Sequence, residues 1–345
     1  MISYARRSIW LVLVFSLANL GCSKDKAAPQ SSEATATQPA QTNPANPAAK
    51  PVEPAGPPMH VDAARTMQYT REIVAFGPRW DGSKALDQVR AYIKNKLKND
   101  RVEEDSFVAE TSIGKVPMTN IVAKFPGSKD GIIVLGSHYE TNYWLKDTSF
   151  VGANDGACTT ALLLAIADQL RGKKLEGYSI WLAFFDGEES MRRQWDTADA
   201  LWGSRHLAQK WKDDGTSKKI KGLLLADMIG DANLRVMRDE NSTPWLEDMI
   251  LQAATRLGYQ SFFFREMTAV QDDHLPFVKV DVPVADIIDG AYGYNDSFHH
   301  TPEDTLDKLS VKSLQVSGDV ILETIRLLNG MGDNPPPSRP QKVPS

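Results

Sequence analysis

The sequence predicts an α/β fold, in which helices cover both faces of a β-sheet. Between residues 60 and 330, amphipathic segments with helical periodicity alternate with short, solidly apolar runs. Several of these runs, such as IWLAFF at 180–185, are apolar at every position, which is typical of a strand covered on both sides. We find no internal repeat, so we predict one α/β domain over residues 60–330.

The individual elements follow from the period of the apolar residues along the chain. Apolar residues three or four apart predict helices at 61–74, 84–98, 155–170, 200–212, 245–257 and 311–328. Short apolar runs predict strands at 120–124, 131–135, 178–185, 223–227 and 282–288.

Proline marks the ends of this domain. Of the 20 prolines, eight lie between residues 23 and 59, five lie in the last eleven residues, and only seven remain for 60–334. The segment 22–59 is rich in Ala, Pro, Gln, Thr and Ser, and such a composition buries too little surface to order a chain. We therefore expect a disordered tether at 22–59 and a disordered proline-rich tail at 331–345.

The first 21 residues have the pattern of a secretory signal peptide. Arg6 and Arg7 precede an apolar run at 9–17 that is too short to span a bilayer. Gly21 and Cys22 then resemble the lipobox of bacterial lipoproteins, in which the cysteine is lipidated. We expect an exported bacterial lipoprotein, periplasmic or on the cell surface, that meets the membrane only through lipid on Cys22. Simple secretion and a retained anchor are the alternatives.

Composition excludes several classes of function. The 42% apolar and 24% charged residues are ordinary for a soluble globular protein. A formal net charge of −5 provides no basic field, so we expect no nucleic-acid partner. Two cysteines cannot build a disulfide framework, and we interpret Cys158 as a small buried side chain in an apolar helix. We expect a monomer.

Polar residues collect where the predicted strands end. His138 follows one strand, Glu188 and Glu189 follow the next, Asp227 ends a third, and His299 and His300 come after the last. Asp155 begins the helix that follows the His138 loop. Ligands of such sheets bind outside the carboxyl ends of the strands, so we expect these groups to meet at one edge.

Imidazole and carboxylate groups in this proportion suit Zn²⁺. The adjacent carboxylates of Glu188 and Glu189 repel one another after a buried strand, and a bound cation offsets that cost. One carboxylate can bind the metal while the other faces the substrate as a general base. A solvated acidic turn is the alternative.

Four segments carry a resemblance to the zinc aminopeptidases of metallopeptidase family 28. They are His138, GANDG at 152–156, FFDGEE at 184–189 and HTPEDT at 300–305. Within that superfamily the chain is most similar to the glutaminyl cyclases (glutaminyl-peptide cyclotransferases). The segment QDDHLPF at 271–277 favours this branch, because the peptidases commonly have serine where this chain has Asp272.

The resemblance implies a three-layer sandwich with a central mixed, mostly parallel sheet. It also implies one zinc ion bound by Asp155, Glu189 and His300. Glu188 would be the proton shuttle, with Asp227 and Asp272 as acidic partners. In the aminopeptidase arrangement two zinc ions are bound, with Asp155 bridging them and His138 and Asp227 completing the second site. His138 has two alternatives to a metal-ligand role. It can form hydrogen bonds that hold the metal ligands in place, or it can simply pack in the core.

For the substrate pocket, the resemblance suggests Trp195 and the position of His299, with a core or surface tryptophan as the alternative for Trp195. Phe298 lies in the loop before His300 and is a candidate for the pocket mouth, with an ordinary loop aromatic as the alternative. The cyclases usually have tryptophan immediately before the last zinc histidine, and this chain has His299 there. The pair His299–His300 leaves two possible ligands, of which we favour His300 because TPED follows it directly.

We therefore predict a zinc-dependent glutaminyl cyclase, which converts N-terminal glutamine of peptides or proteins to pyroglutamate with release of ammonia. The alternatives are a two-zinc aminopeptidase and a non-catalytic surface-binding relative. Retention of Glu188 and of every candidate ligand argues against the last.

Overall fold

The computed structural model describes residues 57–331, over which seven α-helices and eight β-strands are distributed. The predicted signal peptide at 1–21, Cys22, most of the tether and the tail beyond Met331 lie outside the described residues. The helices are α1 (Ala63–Val74), α2 (Lys84–Lys96), α3 (Cys158–Leu170), α4 (Trp202–Asp213), α5 (Pro244–Arg256), α6 (Leu275–Val278) and α7 (Val311–Gly330). The strands are β1 (Arg101–Thr111), β2 (Gly114–Phe125), β3 (Gly127–His138), β4 (Leu175–Phe185), β5 (Ile220–Asp227), β6 (Val236–Asp239), β7 (Phe263–Thr268) and β8 (Val284–Ile288).

Six strands form the central sheet, in the order β1-β2-β4-β3-β5-β8. Strand β3 is parallel to β4 and β5, and β5 is parallel to β8. Strands β1 and β2 form an antiparallel hairpin, which joins the sheet through an antiparallel pairing of β2 with β4. The sheet is therefore mixed and mostly parallel, as predicted. Strands β6 and β7 form a separate two-stranded sheet.

Alternate side chains of the sheet enter two different cores. On β5, Leu224 and Ala226 belong to the core that also contains buried residues of α1, α2, α3, α5 and α7. Leu223 and Leu225 face the other core, where Trp211 of α4 and Phe277 of α6 pack. Burial on both faces requires apolar residues at consecutive positions, which is why these strands lack polar alternation. The three-layer prediction is confirmed.

Helix α3 begins later than predicted. The periodicity places its start at residue 155, but Asp155 has φ −86° and ψ 94°, and Gly156 has φ 85°. The regular helix begins at Cys158, and Asp155 lies in the turn before it. Cys158 is buried and free, as predicted.

The prediction also omitted β1, β6, β7 and the short helix α6. Strand β1 is an edge strand in which most side chains are at least partly exposed, so its sequence carries little apolar signal. No described helix combines the length and apolar character needed to cross a membrane.

Candidate metal and catalytic site

The carboxyl ends of the parallel strands β3, β4, β5 and β8 meet at one edge of the sheet, as predicted. A cleft of about 410 Å³ opens there. Its lining contains most of the predicted site residues, namely Asp155, Glu188, Glu189, Trp195, Asp227, Asp272, His299 and His300. The cleft is thus built by side chains from loops that are distant in sequence.

A tight loop positions Asp155. Gly152 has φ 49° and Gly156 has φ 85°, backbone angles that residues with a Cβ rarely adopt. The buried carboxylate of Asp304 accepts the backbone N–H groups of Asn154 and Asp155 at 2.8 and 3.1 Å. These contacts satisfy the loop backbone and direct the Asp155 side chain into the cleft.

Three predicted ligands face one another in the cleft. The Nε2 atom of His300 lies 3.2 Å from Oε1 of Glu189 and 3.4 Å from Oδ2 of Asp155. Both of these carboxylate oxygens are buried and lack a hydrogen-bond donor. Buried unpaired carboxylate oxygens are costly, so this arrangement suits a bound cation.

The titration of these groups reflects their crowding. Burial raises the pKa of Glu189 to about 7, an effect that neighbouring Asp155 reinforces and His300 opposes. Burial lowers the pKa of His300, but Glu189 and Asp155 outweigh it and raise that pKa to about 9. Burial also acts to raise the pKa of Asp155, but His138 and His300 hold it below its usual value.

His299 and His300 are both near Asp155, and one ligand atom from each of the three residues lies within 4.8 Å of the other two. They differ in their other contacts. The Nδ1 atom of His299 lies 3.0 Å from Oδ2 of Asp296, whereas His300 also reaches Glu189. His300 has φ 51°, an uncommon conformation for a residue with a Cβ. These contacts favour His300 as the ligand.

His138 forms a second cluster beside the first. Its Nε2 atom lies 3.1 Å from Oδ1 of Asp155 and 3.3 Å from Oδ1 of Asp227. Its Nδ1 atom lies 3.7 Å from Oε1 of Glu140. Burial opposes protonation of this imidazole, but the three carboxylates outweigh it and raise the pKa of His138 well above its usual value. The cluster can hold a proton or a second cation.

Glu188 and Asp272 are buried acids that point into the same cleft. Burial raises the pKa of Glu188 well above its usual value, and Asp272 and Glu189 add to the shift. Burial likewise raises the pKa of Asp272, and the Asp227 carboxylate adds to it. A raised pKa favours the protonated form of these acids, so each can hold a proton and exchange it with a substrate.

Three comparisons with known proteins identify the family. The model of peptidase family M28 matches residues 120–325. The chain belongs to peptidase family M28. A glutaminyl-peptide cyclotransferase of Drosophila melanogaster is 32% identical over 256 residues, which cover 66% of this chain and 70% of that protein.

Solved structures place this M28 chain with the glutaminyl cyclases, as predicted. The crystal structure of a glutaminyl cyclase from an Acidobacteriales bacterium matches with a TM-score of 0.78 and 50% identity, over 81% of this chain and 99% of that one. The glutaminyl cyclase of Porphyromonas gingivalis matches with a TM-score of 0.69 and 25% identity, over 77% of this chain and 98% of that one.

Two of the three predicted pocket residues line the cleft of this M28 protein. His299 is one, and Trp195 is the other, with its indole N–H donating to Oε1 of Gln271 at 2.8 Å. Phe298 is not among the residues that line the cleft. It packs against Tyr292 with ring centroids 5.4 Å apart and borders a neighbouring depression.

Several supporting residues of the M28 site were absent from the prediction. Glu140 accepts the backbone N–H groups of Glu188 and Glu189 at 2.6 and 3.1 Å, so it shapes the loop that presents both carboxylates. Arg79 is fully buried and donates to the carbonyls of Tyr139 and Gly152. Glu140 lies two residues after His138 at the same strand end, which was the available signal.

Two aromatic side chains also hold His300. The rings of Trp144 and Phe150 lie edge-on to its imidazole, at centroid distances of 6.1 and 6.5 Å. Asn142 donates to Oε2 of Glu189, on the other side from His300. Contacts of this kind fix the orientation of metal ligands.

Proposed function

We propose that this protein is a glutaminyl cyclase with one zinc ion held by Asp155, Glu189 and His300. The observation that carries the proposal is the meeting of these three side chains in one cleft with Glu188 and Asp272. The similarity to glutaminyl cyclases over most of the described chain supports the same reaction.

The donor atoms of Asp155, Glu189 and His300 are of the types that zinc prefers. One imidazole nitrogen and two carboxylate oxygens form a typical catalytic donor set, which leaves a position free for substrate. The oxygens of Asp155 and Glu189 that face His300 have no hydrogen-bond donor. When bound there, zinc would act as a Lewis acid toward the γ-carbonyl of the substrate glutamine.

Glu188 would move the proton. The α-amine of the substrate attacks its own γ-carbonyl carbon, a carbon–nitrogen bond closes the ring, and the bond to the amide nitrogen breaks. Glu188 takes a proton from the attacking amine and gives it to the departing nitrogen, which leaves as ammonia. Amine and carbonyl belong to one residue, so orientation in the cleft supplies much of the rate.

Asp272 and Asp227 would support this transfer. Burial and the Asp227 carboxylate raise the pKa of Asp272 and so favour its protonated form, because ionising a buried acid beside a like charge is costly. A protonated Asp272 can donate a hydrogen bond to Glu188 or to the departing amide nitrogen.

A two-metal aminopeptidase is the second candidate. The observation that favours it is the cluster of His138, Asp155 and Asp227, whose ligand atoms lie within 4.8 Å of one another. In that reaction Glu188 would activate water instead of the substrate amine.

Mass spectrometry of a peptide that begins with glutamine tests this choice. A cyclase product has lost only ammonia and keeps every residue, whereas an aminopeptidase product lacks the first residue. Release of free glutamine, or an unchanged peptide, would contradict the proposal.

We also propose that the protein is exported as a lipoprotein anchored through Cys22, since the N-terminal sequence has the features described above. Labelled fatty acid should be incorporated into the wild type and not into Cys22→Ser. Release of both forms into the medium would contradict the anchor.

A further inference from the structure

A second depression lies beside the catalytic cleft, and we call it the aromatic groove. It has a volume of about 730 Å³. The residues that define it are Asp231, Leu234, Arg235, Phe262, Tyr294 and Phe298. The catalytic steps described above use none of them.

One loop, residues 290–300, separates the two depressions. Gly290, Asp296, His299 and His300 line the cleft, whereas Gly293, Tyr294 and Phe298 line the groove. The loop turns sharply, with positive φ at Gly293, Asn295 and Asp296, and so presents side chains to both sides. A chain that leaves the cleft across this loop enters the groove.

The surface of the groove suits an apolar side chain. Tyr294 is 85% exposed, although large aromatic side chains usually bury most of their area. Phe262 and Phe298 line the groove with it and are only partly buried. An exposed aromatic surface next to an active site is a common feature of ligand grooves.

Asp231 adds an unused hydrogen-bond acceptor. Its side chain is 2% exposed, and its Oδ1 atom accepts the backbone N–H of Asn233 at 3.1 Å. Its Oδ2 atom is buried and has no hydrogen-bond partner. Leaving such an oxygen unpaired is costly, so it is suited to accept an N–H from a ligand.

From these contacts we propose that the aromatic groove binds the polypeptide that follows the N-terminal glutamine of the substrate. Its aromatic walls would hold one aromatic side chain of that segment, and Asp231 would accept a backbone N–H. Continuity with the cleft across a single loop favours this occupant over an unrelated ligand. The inference rests on the proposed glutaminyl cyclase activity and specifies which substrates that activity prefers.

Peptide kinetics test the proposal. The substrates are a glutaminyl-alanine amide, a pentapeptide with glutamine followed by four alanines, and four versions in which phenylalanine replaces one alanine. We expect one phenylalanine position to raise kcat/KM about five- to tenfold over the all-alanine pentapeptide, as an additional buried aromatic ring would.

Variants then locate the effect. Tyr294→Ala and Phe262→Ala should each reduce the phenylalanine advantage to about twofold or less. Asp231→Asn should lower kcat/KM for pentapeptides relative to the dipeptide amide. Met267→Ala is the matched control, because Met267 is exposed and does not line the groove, and it should keep the full advantage.

The outcomes distinguish failure of the groove from failure of the cyclase activity. Turnover of the dipeptide amide with no advantage at any phenylalanine position would overturn the groove and leave the cyclase intact. An advantage that survives Tyr294→Ala and Phe262→Ala would also overturn it. Absence of turnover for every substrate would overturn the cyclase and, with it, the groove.

Discussion

The Nε2 atom of His300 lies 3.2 Å from Oε1 of Glu189, although the two residues belong to loops after different strands, β8 and β4. The Glu189 oxygen has no hydrogen-bond donor in this arrangement. Asn142 donates to the other oxygen, Oε2, and so holds the carboxylate in place. Two groups held this way suit a shared cation.

Zinc affinity should show whether His300 or His299 is the metal ligand. We expect His300→Ala to weaken zinc binding more than about 100-fold, since even residues that only support ligands change affinity by 10- to 100-fold. His299→Ala should bind close to one zinc per chain, because His299 contacts Asp296 and does not reach Glu189. Metal analysis after dialysis measures both. Loss of zinc in His299→Ala alone would reverse the ligand assignment.

Gly156 should be intolerant of a side chain. A Cβ there would lie 2.9 Å from Cε1 of His138 and 3.0 Å from the carbonyl oxygen of Glu140, at φ 85°. Gly172 has a similar φ of 73° but open space around it. We expect Gly172→Ala to lower the free energy of unfolding by about 1–2 kcal/mol, for backbone strain alone.

In Gly156→Ala steric overlap adds to that strain. The free energy of unfolding should therefore fall by about 1–3 kcal/mol more than in Gly172→Ala, and zinc binding should weaken as well. Urea unfolding of both variants gives the comparison. Equal losses would show that the site tolerates displacement of His138.

The sheet and the positions of the site loops were predictable because burial on both faces leaves an unbroken apolar run. Strands β3, β4, β5 and β8 carry that signal. Strand β1 does not, because it is a solvent-facing edge. The start of α3 was wrong because the apolar period continues through Asp155, while the positive φ of Gly156 interrupts the helix.

Within the site, residues that follow strands were predictable and residues that support them were not. Asp155, Glu188 and His300 belong to recognisable motifs. Glu140 and Arg79 act through hydrogen bonds with backbone groups, and the only signal of this role in the sequence was the position of Glu140 at a strand end. The direction of Phe298 depends on the turns of the loop at 290–300, which apolar periodicity does not encode.

Asp105 should make stability depend on pH. Burial acts to raise the pKa of its carboxyl, but hydrogen bonds from His206, Asn120 and Lys210 outweigh it and hold that pKa below its usual value. Because this pKa is lower in the folded state, ionised Asp105 stabilises the fold at pH values above the unfolded-state pKa of about 3.9. The stabilisation is lost as pH falls through the folded-state pKa.

Asp105→Asn should therefore lower the free energy of unfolding at pH 7 by about 1–3 kcal/mol. The difference from the wild type should shrink below about pH 4. Glu110→Gln is the control on the same strand. It removes an ion pair with Lys115 in which both side chains are exposed. Urea unfolding at pH 7, 4 and 3 measures the trend, and a difference at pH 3 that is no smaller than at pH 4 would contradict it.

The most direct test of the central claim is ammonia release from a peptide that begins with glutamine, measured beside cleavage of a leucyl amide. We predict rapid ammonia release by the zinc-loaded wild type and no leucyl cleavage. Glu188→Gln should bind zinc normally and release ammonia at least about 100-fold more slowly, because it cannot shuttle the proton. Leucyl cleavage without ammonia release, or undiminished ammonia release by Glu188→Gln, would contradict the proposed function.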